Sequence, residues 1–236
     1  MFDFIKSLGK AVADGMGLNA QSNSAGTANT AHSVNIAPPR ANKPTVQTVP
    51  DKPAPFGYKN SWLCIRASSP EEVIEKMGLK NPRVSNWNYG ICGEHGVFVS
   101  PVLDGYVLVV NWGMDVLDTD PESLDELAKK FSELQFFSTH RVAEYHAWVK
   151  YVGGEMMRGY GWCGDIGEVL LNKGEVTPEE TELGLTNLLP DNDADWDSCD
   201  FPDEQNVLDI AAAWGIDTSF SRKTYPESTG FLCDIK

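Results

Sequence analysis

The chain has 236 residues, is 42% hydrophobic and 22% charged, and carries a formal charge of −15, from 19 lysines and arginines against 34 aspartates and glutamates. That composition supplies a sizeable core and excludes collagen-like, wholly disordered and membrane-spanning chains. The negative balance repels a phosphate backbone over most of the surface, which argues against nucleic-acid binding.

Taken from the start, residues 1–17 read as a short amphipathic helix. Phe2, Ile5, Leu8, Val12 and Met16 recur at three- and four-residue steps, with Asp3, Lys6, Ser7, Lys10 and Asp14 between them. Asp3 and the lack of a long apolar run argue against a secretory signal, and no segment approaches the roughly 18 apolar residues of a membrane span. So short a helix is marginal alone in water, so its stripe is expected to dock on the body of the protein, on a partner or on a membrane surface. Residues 18–55 are rich in Asn, Ala, Ser, Thr and Pro and contain no aromatic residue, the composition of a disordered linker. These first 55 residues carry +2, which leaves −17 for the remainder, where every Trp and Tyr also lies.

A globular domain is expected over residues 56–220, with residues 221–236 as a C-terminal tail. One device announces its helices. Ser69-Pro70-Glu71-Glu72 and Thr177-Pro178-Glu179-Glu180 each place a hydroxyl cap, a proline at the first helical position and a glutamate able to close a capping box. Asp120-Pro121-Glu122 starts a third helix, and Phe201-Pro202-Asp203-Glu204 a fourth with a poorer cap. Gly78 followed by Leu79 predicts a Schellman-type stop for the first. Between the helices the period falls to two, and residues 61–68, 97–101, 106–111, 135–139, 142–152, 155–163 and 168–172 read as strands rich in Val, Tyr, Trp and Phe. Asp104-Gly105 and Gly153-Gly154 are hairpin turns, because tight primed turns need positive φ. The expected fold is α+β, an antiparallel meander of about seven strands with about four helices packed on one face.

Three groups of residues are candidates for chemistry. Read as one strand through residue 152, alternation puts His140, Glu144, His146, Trp148 and Lys150 on one face. Two imidazoles and a carboxylate suit a transition metal or a base with its orienting partner. His140 and Glu144 would be about 13 Å apart along a straight strand, too far to share an ion, whereas Glu144 with His146 is feasible. The plainer reading is a polar outer face with Trp148 at a partner interface. A second group is the acidic stretch from Asp165 to Asp209, with 14 acids against Lys173 alone, densest at Asp191, Asp193, Asp195, Trp196 and Asp197. Asp193, Asp195, Asp197 and Glu204 resemble the ligand spacing of an EF-hand calcium loop over twelve residues. Ser198 stands where that loop needs glycine, Asp200 where an apolar residue packs, and Pro190 breaks any entering helix, so a solvated acidic surface for a basic partner is the competing reading. Third, Cys92 and His95 pair a thiol with an imidazole in a glycine-rich turn, as a nucleophile and its base would require. The other cysteines, Cys64, Cys163, Cys199 and Cys233, leave an odd, scattered total without a Cys-x-x-Cys pair, the pattern of reduced thiols in a cytoplasm.

The resulting expectation is a non-enzymatic acidic protein, without a cofactor, that binds a basic protein partner, most concretely a bacterial toxin-immunity-type protein. Trp148, Trp196 and the acidic loop would be its contact residues. A hydrolase using His140, Glu144 or His146, or Cys92 with His95, is the first alternative. A cargo domain carried by an N-terminal targeting or assembly helix is the second.

Overall fold

Nine strands form a single sheet in the computed structural model, which describes residues 47–92, 96–111, 121–189 and 199–234. In chain order the elements are β1 (Asn60–Arg66), α1 (Pro70–Met77), β2 (Lys80–Asn86), α2 (Trp87–Ile91), β3 (Val97–Val99), β4 (Tyr106–Val110), α3 (Pro121–Ala128), β5 (Glu133–His140), β6 (Tyr145–Val152), β7 (Glu155–Cys163), β8 (Glu168–Lys173), α4 (Pro178–Glu182), α5 (Glu204–Trp214) and β9 (Thr229–Asp234). The strand order is β2-β9-β3-β4-β1-β5-β6-β7-β8, and every pairing is antiparallel. The fold is therefore α+β on an antiparallel sheet. Only β5 to β8 run as an uninterrupted meander.

The helix starts follow their caps. Ser69 Oγ accepts from Glu72 N, and Gly78 ends α1 at φ 71° while Leu79 N donates to Ile74 O at 3.0 Å, the expected Schellman stop. Glu72 does not close its box. Its carboxylate takes Ser68 N, Ser68 Oγ and Lys76 Nζ instead, and the lysine and serine hydrogen bonds hold it down at a pKa of about 2. Thr177 and Glu180 do form a complete capping box, as do Asp203 and Asn206 at the start of α5. The cap of α5 is therefore strong and lies at Asp203, two residues later than a proline-first start would place it. Asp104 and Gly105 adopt φ of 52° and 87°, and Gly153 and Gly154 of 61° and 84°, as primed hairpin turns demand.

Register decides the two faces of the sheet. One row runs Val110–Trp62–Phe137–Trp148–Tyr160 across β4, β1, β5, β6 and β7, with Trp62 and Phe137 stacked at 5.3 Å. Against it lies α5, through Val207, Ile210, Ala211 and Trp214. The opposite row, Val109–Leu63–Phe136–Val149, is equally buried. On that side α3 is fastened by Tyr151 Oη donating to Asp125 Oδ1 at 2.7 Å, and α1 lies beside it through Lys130 Nζ on Lys76 O. Helices thus cover both faces, not one. The physical reason is visible in β1 and β4, whose residues Trp62–Ile65 and Tyr106–Val110 are buried without alternation, as strands closed in on both sides must be.

Two strands lie outside the seven expected. Lys80–Asn86 is polar, carries Pro82 and forms a sheet edge, where an N–H can be spared. Thr229–Asp234 pairs with both β2 and β3, so the stretch expected as a tail is an interior strand. The end of the expected linker is also engaged. Asp51 bridges to Ser228 by two backbone hydrogen bonds, and its carboxylate accepts from Trp87 N, Asn88 N and Asn88 Nδ2 at the start of α2. The expected N-terminal helix and residues 18–46 of the linker lie outside the described residues. No helix among the described residues is long and apolar enough to cross a membrane.

Candidate functional site

The presumed single strand through His140 and His146 is broken. Residues 141–144 form a turn, Ala143 N donates to His140 O, and Glu144 takes a left-handed φ of 45°. His140 pairs with Tyr145 on one side of the β5–β6 hairpin, while His146 pairs with Thr139 and falls on the other. The two histidines therefore face opposite ways and cannot act together. Glu144 and His146, in contrast, line one cavity of about 740 Å³ with Tyr58, Arg141, Trp162, Phe201, Pro202, Asp203, Glu204 and Gln205.

Four elements converge on this cavity. The β5–β6 turn brings Arg141 and Glu144. His146 and Trp162 are register partners on β6 and β7, so they sit side by side on the sheet. The capping box at Asp203 fixes the first turn of α5, and with it Glu204 and Gln205. Tyr58, just before β1, closes the wall by donating its Oη to Gln205 Oε1 at 2.9 Å. Phe201 lies against Trp162 with ring centroids 4.6 Å apart and remains 45% exposed.

The polar geometry is directional. His146 is 4% exposed, and its Nδ1 lies 3.0 Å from Thr139 Oγ1. Thr139 Oγ1 in turn reaches Glu204 Oε1 in a long contact of 3.5 Å, and Glu204 Oε2 is 3.4 Å from Arg141 Nε. A hydroxyl has one hydrogen, so Thr139 Oγ1 either accepts from His146 Nδ1–H and donates to Glu204 or donates to Nδ1 itself, according to the tautomer of the ring. Burial pushes the imidazole pKa below its ordinary value, against the opposing pull of Glu204, Asp203 and Glu144. Burial therefore favours the neutral ring.

The remaining candidates separate from this site. Trp148 is fully buried and donates Nε1 to Glu180 Oε1 at 2.9 Å, so it belongs to the core and is not a surface anchor. Strand alternation gave the correct face, but that face is covered by α4 and α5. Cys92 is exposed, binds Tyr89 O and does not line the cavity, while His95 lies outside the described residues. Asp191, Asp193, Asp195, Trp196 and Asp197 also lie outside them. Glu204, the twelfth position of the calcium-loop spacing, is on the first turn of α5 and pairs with Arg141. Among the described residues no three His, Cys, Asp or Glu side chains converge as a metal site would need. Cys64, Cys163 and Cys233 are buried, and burial raises the Cys233 thiol to about 11.

Sequence reasoning missed Tyr58, Thr139, Arg141, Trp162, Phe201 and Asp203 as parts of one site. They come from five separate stretches, and no spacing links them. No protein family, curated protein or solved structure matches the chain.

Proposed function

We propose that this is a non-enzymatic acidic protein that binds a basic protein partner, in its most concrete form an immunity-type protein that occludes a basic toxin in the bacterial cytoplasm. One observation carries the reading. Of the ten described carboxylates between Asp165 and Asp209, only Glu180, Glu204 and Asp209 have an ion-pair partner among the described residues. Asp165, Glu168, Glu175 and Glu182 are exposed, and with Glu179 they surround β8 and α4 with charge that no other described residue neutralises. Such a field raises association rates with a basic surface and orients the encounter.

The test is recovery on the immobilised full chain followed by titration of the purified partner. A basic protein is expected whose affinity falls steeply between low and high salt and falls again when Glu168, Glu175, Glu179 and Glu182 are changed to glutamine. Recovery of neutral or acidic proteins, or affinity indifferent to salt, would overturn the reading. A hydrolase is the second reading, favoured by the line from His146 through Thr139 to Glu204, which orients a neutral imidazole as a general base is oriented. Turnover abolished by His146→Gln in a chain whose unfolding is unchanged would establish it.

A further inference from the structure

We propose that β8 is a self-pairing edge, which joins two copies of the chain antiparallel across a two-fold axis at Leu171. β8 ends the sheet and pairs with β7 alone, so among the described residues its outward backbone N–H and C=O groups have no strand beside them. The opposite edge is blunted. There β2 carries Pro82 and an irregular register between Lys80 and Arg83, and Asn86 N is taken by Gln47 O. Only the β8 edge is left free to take a further strand.

A bulge gives that edge its specificity. In register, Cys163 opposes Glu168, Trp162 opposes Val169, Gly161 opposes Leu171, Tyr160 opposes Asn172 and Gly159 opposes Lys173, so Leu170 is an extra residue without a partner on β7. Glu168 and Lys173 are five residues apart and would point to opposite faces of a regular strand. The extra residue changes the parity. Glu168, Leu171 and Lys173 all fall on the face of Gly159, Gly161 and Cys163, while Val169 and Asn172 fall on the other, with Val169 packed against the core. Leu171 thereby becomes the centre of the strand, with two paired positions on either side of it. An antiparallel copy laid with Leu171 opposite Leu171 sets Glu168 against Lys173 of the second copy twice, on one face, and Val169 against Asn172 on the other. Directly opposed residues of an antiparallel pair must share a face, and this register meets that condition at every paired position.

The side chains suit the pairing. Glu168 and Lys173 are exposed, and neither has an ion-pair partner among the described residues. Leu170 and Leu171 are half-buried, and Leu171 lies on the bare backbone of Gly159, where a β-carbon would come within 2.8 Å of its Cδ2. A register slipped by two residues loses both ion pairs, so the charges fix the alignment. The net charge of −15 on each copy opposes association, which makes the dimer a weak one. Asp165, Glu175, Glu179 and Glu182 lie outside β8, so the inference goes beyond the acidic-binder reading and does not depend on it.

The experiment is sedimentation equilibrium of the full chain from about 1 μM to about 1 mM, the range of a weak interface, with hydrogen exchange read along β8. A monomer–dimer equilibrium is expected, with amide exchange in Glu168–Lys173 slowing as the dimer fills. Glu168→Lys or Lys173→Glu alone sets like charges opposite each other twice and should weaken the dimer by about tenfold. The double variant restores the complementarity in reversed order and should dimerise within about threefold of the wild type. The two single variants, mixed, should pair with each other more tightly than either pairs with itself. Unfolding curves of each variant check that the exposed substitutions leave the fold intact. A chain that stays monomeric throughout, assembly beyond two copies, single variants that dimerise like the wild type, or a double variant as weak as the singles would overturn the proposal.

Discussion

Two arginine–glutamate pairs in this protein have opposite surroundings. Arg158 and Glu180 are 1% and 0% exposed and lie 2.8 Å apart; Arg141 and Glu204 are 59% and 14% exposed and lie 3.4 Å apart. Around the buried pair the protein supplies most of the acceptors and donors itself, although Arg158 Nη2 faces Glu180 as an ion pair without a hydrogen bond. Glu180 takes Trp148 Nε1, Arg158 Nε and Thr177 N, while Arg158 Nη1 donates to Gly159 O, Asn172 Oδ1 and Lys173 O. The group ties β6, β7, β8 and α4 together. Around the open pair the filling stops halfway. Glu204 meets Thr139, Lys59 N and Arg141 only through contacts of 3.4 to 3.5 Å, at the edge of a solvent-filled cavity. The same two residue types thus tie elements together where they are enclosed and leave polar atoms facing a cavity where they are not.

Truncating the enclosed pair should have the largest consequence. Arg158→Met leaves the Glu180 carboxylate buried without its counter-charge and is expected to cost about 3–5 kcal/mol in urea unfolding. A loss under about 1 kcal/mol would remove the distinction between the two pairs. Trp148→Phe keeps a ring in the core but deletes the donor to Glu180 Oε1, for an expected loss of about 1–3 kcal/mol by the same measurement.

The open side should respond to pH through His146. Its folded pKa is lowered by burial, so above the unfolded value both states are neutral and the histidine adds no pH dependence. As pH falls through that value, near 6.5, the unfolded chain takes up the proton first, and stability declines until the folded ring also titrates. The slope from this one group is at most about 1.4 kcal/mol per pH unit, and His146→Gln should abolish it in unfolding curves between pH 7 and 5. Unchanged curves in that variant would place the pH response on other groups. The smallest effect is expected at the open pair itself. Arg141→Ala should change stability by less than about 0.5 kcal/mol in urea unfolding, because an exposed pair contributes little.

Much of this fold is written in short-range chemistry. The proline-first starts at Pro70, Pro121 and Pro178 and the turns at Gly105 and Gly154 rest on steric and capping rules that act within a few residues. Seven of nine strands announce themselves by β-branched and aromatic content. Of the two that do not, Lys80–Asn86 has little apolar content and is a strand because β9 pairs with it, while the short Thr229–Asp234 is held between β2 and β3. The site was less legible. Glu144, His146 and Glu204 were all named as chemical candidates, yet for different sites, since 58 residues of sequence separate His146 from Glu204 and only the packing of α5 on the sheet unites them.

The sequence by itself determined an acidic α+β body whose negative charge crowds into residues 165–209, because composition and local conformational preference need no tertiary contact. The tertiary structure decided which side of the sheet each side chain serves. A left-handed turn at Glu144 parted two histidines that alternation had joined, and helices on both faces drew Trp148 into the core. Long-range packing then made one cavity of Tyr58, His146, Trp162, Phe201 and Glu204, a neighbourhood that exists only because burying the sheet brings distant segments together.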